Sequence, residues 1–288
     1  MSTALRPPRR LPFGLSPLAA IAAVALLIFV IMAILAPWLA PFDPARQTLL
    51  ARLKPPGFTT ASGAVYWLGT DEVGRDLLSR VIYGARISLI VGFGVAICAA
   101  SIGLFIGLIS GFIRAVDAVV MRIMDGMMSI PSILLAIAMM ALTRASVENV
   151  IIAITIADVP RVSRLVRGVV LTLREQPYVE AAIAAGTRTP MIIIKHILPN
   201  TLAPVIVQAT FLCASAMIAE ATLSFIGAGT PPIIPSWGNI MAEGRALWQV
   251  KPYIVFFPAV FLSITVLSVN LLGDGLRDAL DPRMAKRI

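Results

Sequence analysis

EAAIAAGTRTPMIIIKHILPN, residues Glu180 to Asn200, interrupts a chain that is otherwise mostly apolar. The stretch reads as two helices meeting at an angle. Pro177 suits a first helical position, and Glu180 in the first turn complements the helix dipole. Val179, Ala182 and Ile183 share one face. Gly186 supplies a left-handed cap. Thr189 serves as the next N-cap with Pro190 in the first turn. The second helix runs through Ile192–Ile194 and His196 until Pro199 ends it. At 1.5 Å per residue the first helix is about 13 Å long, too short to be stable by itself. Its free face, Glu180, Ala181, Ala184 and Ala185, is a smooth ridge with one charge. Such a ridge fits a groove on a soluble partner, and it equally fits an ordinary loop; these residues alone do not separate the two.

Outward from this stretch the chain is oil. Of 288 residues, 58% are hydrophobic and 14% charged, where a soluble domain carries roughly a quarter charged. The apolar residues come in runs of about 20, the length that crosses a bilayer. The reading is an all-α polytopic membrane protein with six spans, at 17–37, 87–111, 118–142, 147–170, 202–226 and 253–273. The N-terminal run is too long for a signal peptide and lacks a cleavage site, so it is the first span. With the N-terminus in the cytoplasm, fifteen of the 24 basic residues fall on that side, including Arg6, Arg9, Arg10, Arg283, Lys286 and Arg287. The positive-inside rule then places both termini, and Glu180–Asn200, in the cytoplasm. The net charge of +9 reports orientation. Nucleic-acid binding is set aside because no basic residues interleave with exposed aromatics.

Several positions carry expectations of their own. Ala99, Gly103, Gly107 and Gly111 recur every fourth residue, a face for close helix packing. In span four Pro160 should kink the helix, and Asp158 should pair with Arg161 at i,i+3. Arg161, Arg164 and Arg167 form a stripe suited to anionic membrane lipids. Leu68–Arg86 has Leu77, Leu78, Val81 and Ile82 opposite Arg75, Asp76, Ser79 and Arg80, as in a brace helix lying on the outer membrane surface. Glu220 is an expensive buried acid. It either lines a path or gate, with Asp158 and Trp237, or accepts hydrogen bonds from Trp237 or Asn239. Cys98 and Cys213 read as small buried hydrophobes. A single histidine makes no metal site. No nucleophile–base constellation is evident, and no phosphate loop of the G-x-x-x-x-G-K-[S/T] type occurs.

The spelling of the opening stretch separates its two readings. Glu180-Ala181-Ala182, three residues, Gly186, nine residues, then His196-Ile197-Leu198-Pro199 resembles the EAA motif of ABC importer permeases, with His196 at a position usually held by Ile. Leu68–Leu89, Arg122–Ile137, Glu220–Met241 and Asn270–Arg283 resemble, in order, the second permease subunit of dipeptide, oligopeptide and nickel importers. Asp158 stands where that family more often has an uncharged or aromatic residue. The resemblance implies a type I (MetI-like) importer fold, with residues 1–83 as N-terminus, first span and outer segment, 84–273 as permease core and 274–288 as tail. It implies a coupling loop at 173–200 whose Glu180, Ala181, Ala182, Gly186, His196, Leu198 and Pro199 meet an ATPase. It further implies a heterodimer with a related permease, two ATP-binding subunits that hold ATP and Mg, and a periplasmic or lipid-anchored solute-binding protein. This chain itself would carry no cofactor, no metal and no catalysis. Peptides are the expected cargo, with nickel, glutathione or another small solute as alternatives. A stand-alone secondary transporter would show inverted repeats and broken helices, and neither is seen. An intramembrane enzyme would need a better catalytic pair than Asp158 with Glu220.

Overall fold

The structure, a computed structural model, describes residues 16–61 and 63–280. The terminal arginines and lysines of the orientation argument lie outside these residues. In chain order the helices are α1 (Pro17–Ile34), α2 (Ala36–Leu39), α3 (Leu77–Phe112), α4 (Arg114–Met128), α5 (Ser132–Ala141), α6 (Val147–Arg174), α7 (Pro177–Ala184), α8 (Thr189–Ile192), α9 (Leu198–Ile226), α10 (Trp237–Gly244) and α11 (Tyr253–Leu280). A short antiparallel ribbon, β1 (Phe58–Thr59) with β2 (Val65–Tyr66), pairs Phe58 with Tyr66 between α2 and α3.

Four continuous helical runs are long and apolar enough to cross a membrane: Pro17–Ile34, Leu77–Phe112, Thr189–Ile226 and Tyr253–Leu280. A fifth crossing needs α4 and α5 together, and these meet at 88°. The straight span expected at 118–142 is therefore corrected to a bent pair. Pro131 disfavours helical geometry at Ile130, and Ser129 Oγ donates to Gly126 O at 2.6 Å, closing the turn. The expected span four is α6, 28 residues and so about 42 Å long. Asp158, Arg161 and Arg164 keep its middle from reading as purely apolar. The divisions expected after residues 83 and 273 fall inside α3 and α11.

The close-packing face works as its spacing suggests. A Cβ on Gly103 would stand 2.5 Å from Val162 Cβ, one on Gly107 2.5 Å from Val166 Cβ, and one on Gly111 2.6 Å from Val170 Cβ. Glycine every fourth residue on α3 thus meets valine every fourth residue on α6, and the two backbones approach as only glycine allows.

Residues 77–86 do not form a helix of their own. They are the first turns of α3, which Asp76 caps by accepting from Ser79 N at 2.8 Å. Arg80, expected on a solvated face, is 1% exposed. It pairs with Asp71 at 2.6 Å and with Glu243, while Arg75 reaches Asp71 and Glu243 at 2.6 Å each. Acids distant in sequence make burial of Arg80 tolerable, and Leu77 and Val81 then turn fully into the core.

The arginine stripe of α6 is likewise corrected. Arg164 pairs with Asp125 and Arg167 pairs through both nitrogens with Asp117, both acids belonging to α4. These charges bind helix to helix, which leaves Arg161 with its own-helix partner Asp158. Cys98 is exposed on the bundle surface and Cys213 is buried, so only the latter packs as a core hydrophobe.

Candidate functional site

The site begins with the short helix α7. Pro177 opens it and Val179 anchors it with no exposed surface. Glu180, Ala181, Ala184 and Ala185 are exposed, and Ala182 is half-buried against the core. Gly186 adopts φ +76°. Its N–H donates to Ile183 O at 2.9 Å and the Thr187 N–H to Ala182 O at 3.1 Å. This pair of bonds is the Schellman termination, for which the left-handed conformation is required. The chain then enters α8, where Arg188, not Thr189, occupies the capping position, with no side-chain bond. Thr189 and Pro190 form the first turn.

Pro199 does not end the second helix. A π-helical turn, Ile193–Ile197, joins α8 to α9, and Leu198 N–H donates five residues back to Ile193 O. Proline lacks an N–H and its ring collides with the carbonyl four residues before it. Widening the turn by one residue removes that collision, a recurrent arrangement at functional positions. The helix therefore runs unbroken from Thr189 to Ile226. His196 is half-buried there, with its ring 6.1 Å from that of Tyr178 on α7. Asn200 Nδ2 donates to His196 O at 2.7 Å and to Tyr178 Oη at 3.4 Å. Leu198 packs against the core and Pro199 is exposed. Of the expected set, Glu180, Ala181, Gly186 and Pro199 are exposed, while Ala182, His196 and Leu198 are half-buried. Tyr178 and Asn200 link the two helices. Sequence reasoning missed both, although Asn200 at i+4 from His196 signals a bond to that carbonyl.

At the opposite end of the bundle Glu220 has no exposed surface. It accepts from Ser224 Oγ at 2.9 Å and from Ser88 Oγ at 3.3 Å. Ser224 continues to Thr230, which bonds Ser236 and receives Asn239 Nδ2 at 2.9 Å. The donors to Glu220 are therefore hydroxyls, not Trp237 or Asn239. Trp237 instead gives its Nε1–H to Val81 O at 3.0 Å and meets Phe29 edge-on. Asn239 spends its amide on the carbonyls of Thr230, Pro231 and Ile234. Glu220 and Trp237 thereby tie α9 and α10 to α3, and the proline-rich loop 227–236 is folded around a satisfied carboxyl group.

Asp158 is buried on α6, with Arg161 Nη1 at 3.3 Å from Oδ1. It lines a cavity of about 170 Å³ with Ser132 and Ser215. Glu220 and Asp158 are not brought together. Among the described residues no cluster of three or more His, Cys, Asp or Glu forms a metal-binding group.

The structure is thus a bundle of apolar helices with close-packed small-residue faces and an exposed short helix at one end. Residues 101–286 match the family model described as the binding-protein-dependent transport system inner membrane component. Residues 13–56 match the N-terminal transmembrane domain of oligopeptide transport permease C. The chain belongs to this family and is a permease subunit of an ABC importer, not an ATPase.

It is similar to a probable peptide ABC transporter permease of Sinorhizobium fredii, with 49% identity over 85% of this chain and 82% of that one. A dipeptide transport system permease of Alkalihalophilus pseudofirmus is 43% identical over 93% and 86% respectively. A di/tripeptide permease of Pseudomonas aeruginosa is 41% identical over 90% and 86%. The fold matches a chain of the MetNI methionine ABC transporter in an inward-facing conformation. That match has a TM-score of 0.57 and 22% identity, covering 71% of this chain and 98% of the other.

Proposed function

We propose that this permease carries peptides, di- or oligopeptides, across the bacterial inner membrane, driven by ATPase subunits that grip α7. The observation that carries the reading is the exposed Glu180–Ala185 ridge, anchored beneath by Val179 and fixed in direction by the Gly186 cap. Small side chains on that ridge leave room for a groove to close over it. The relatives named as peptide and dipeptide permeases support the cargo.

In this reading six crossings, α6 among them, place both termini and α7 in the cytoplasm. A second, related permease completes the channel, two ATP-binding subunits hold ATP and Mg, and a periplasmic or lipid-anchored binding protein delivers the peptide. The chain itself carries no cofactor. Closure of the ATPases displaces α7, and the π turn transmits the displacement to α9, switching access from one side to the other. The test is photocross-linking from Ala181 and Ala184 in the assembled complex together with peptide uptake in vesicles. Capture of the ATP-binding subunit with ATP-dependent uptake is expected. Failure to capture it at either position, or accessibility of both from outside the cell alone, overturns the proposal.

A further inference from the structure

A cavity of about 630 Å³ lies at the α7 end of the bundle, bordered by α6, α9 and α11. Leu165, Pro204 and Phe211 give it apolar walls, and Asn200, Gln208 and Arg277 line it with polar groups. Gln208 and Arg277 make no hydrogen bond or ion pair with any described residue. Pro204 has no N–H to offer the carbonyl four residues back, that of Asn200, so an acceptor is released on this wall. It is a cleft open to the surface, with Asn200 and Arg277 exposed at its mouth and Gln208 half-buried within it, and a concave apolar surface with a few converging polar groups is a common form of small-ligand site.

The smaller Asp158 cavity lies on the same stripe. Asp158, Arg161 and Leu165 follow i, i+3, i+7 on α6, while Gln208 and Ser215 follow i, i+7 on α9. Both helices therefore present one continuous face to the two cavities, offset along α9 by seven residues, about 10 Å. One cavity holds Arg277 with the amides of Asn200 and Gln208; the other holds Asp158 paired with Arg161, together with the hydroxyls of Ser132 and Ser215.

We propose that this α6–α9 stripe is the permease's own cargo track, recognising a peptide by its charged ends. Arg277, with Gln208 beside it, takes the terminal carboxylate, and Asp158, with Ser132 and Ser215, takes the terminal ammonium. A guanidinium matches a carboxylate in a two-point fork, and a main-chain amide between the ends finds Gln208 and the Asn200 carbonyl. Arg161, half exposed and bonded to Asp158 through one contact, is displaced when the ammonium arrives. Asp158, a buried acid on a membrane helix that faces a cavity, is the kind of group that commonly marks a transport path, while Arg277 stands exposed at the cytoplasmic mouth of the track. The inference rests on the peptide-cargo reading above and adds the residues that hold the cargo.

The test uses the complete importer in vesicles, with a peptide bearing a free carboxylate and its C-terminal amide, each delivered on saturating binding protein. Arg277→Gln should slow uptake of the free-carboxylate form about tenfold and leave the amide unchanged, the scale of one charge-assisted contact. Asp158→Asn should act the same way on a free amine against its N-acetyl form. Equal effects on both members of a pair, or none, overturn the track. As a second measurement, a peptide with a thiol-reactive C-terminus should label Gln208→Cys in an otherwise cysteine-free chain and spare Ile206→Cys. Equal labelling, or none at Gln208→Cys, also overturns it. If the unaltered complex imports no peptide, it is the cargo reading that fails, a result visible before any variant is made.

Discussion

Gly186→Val isolates the backbone contribution of the α7 cap. A Cβ at this position meets nothing within 4 Å, so the substitution introduces no clash, and its whole effect comes from φ +76°. A left-handed conformation costs an L-residue roughly 1–2 kcal/mol, with a β-branched side chain at the upper end or above. The alternative conformation forfeits the bonds from Gly186 N to Ile183 O and Thr187 N to Ala182 O. A cost of about 1–2 kcal/mol lowers the ratio of capped to uncapped forms by a factor of about 5–30. Peptide uptake per ATP hydrolysed should fall, by at most that factor, with normal amounts of protein in the membrane because no core contact changes. Asn tolerates the left-handed region, so coupling should rank Gly, Asn, Ala, Val in descending order. Uptake and ATP hydrolysis measured together in vesicles decide the matter. Wild-type coupling in the valine variant, or a ranking that follows side-chain size and ignores left-handed tolerance, would refute the argument.

Gly107→Ala places a methyl 2.5 Å from Val166 Cβ and 2.7 Å from Ser163 O, and should cost about 1–3 kcal/mol of stability. Gly168→Ala, with open space around it, should be neutral or slightly stabilising, and thermal unfolding in detergent compares the two. Arg80→Ala leaves Asp71 and Glu243 with Arg75 as their remaining cation and should lower stability by about 1–3 kcal/mol, read as a lower Tm. Pro199→Ala restores a donor at the π turn and should return it to α geometry, rotating α7 against α9 by about 100°, one residue's worth. Cross-links from Ala181 should then change partner residue, and uptake should be lost while ATP hydrolysis persists.

What the sequence disclosed was local and periodic. The Gly103, Gly107, Gly111 face was legible because a helix repeats its neighbours every fourth residue, and Gly186 because few residues take a positive φ. The Asp158–Arg161 pair was legible at i,i+3 for the same reason. What stayed hidden depends on distant partners. Arg80 looks like a surface residue until Glu243, 163 positions away, comes to meet it. Arg164 and Arg167 look like a lipid stripe until Asp125 and Asp117 arrive from α4. Pro199 misled for a different reason, since helix-breaking by proline presumes an α-helical register and the π turn changes the register. The donors to Glu220 were missed because Trp237 finds its acceptor in Val81 O, 156 positions away on α3, and Asn239 finds its acceptors in the carbonyls of the folded loop.

The four charges Asp71, Arg75, Arg80 and Glu243 sit at the far end of the molecule from α7, where they rivet the start of α3 to the last turns of α10. Under the proposed coupling, a bundle pinned there by buried charges and driven at α7 would pivot about the pinned end, so that a small stroke on α7 turns the helices about a fulcrum at the far rim.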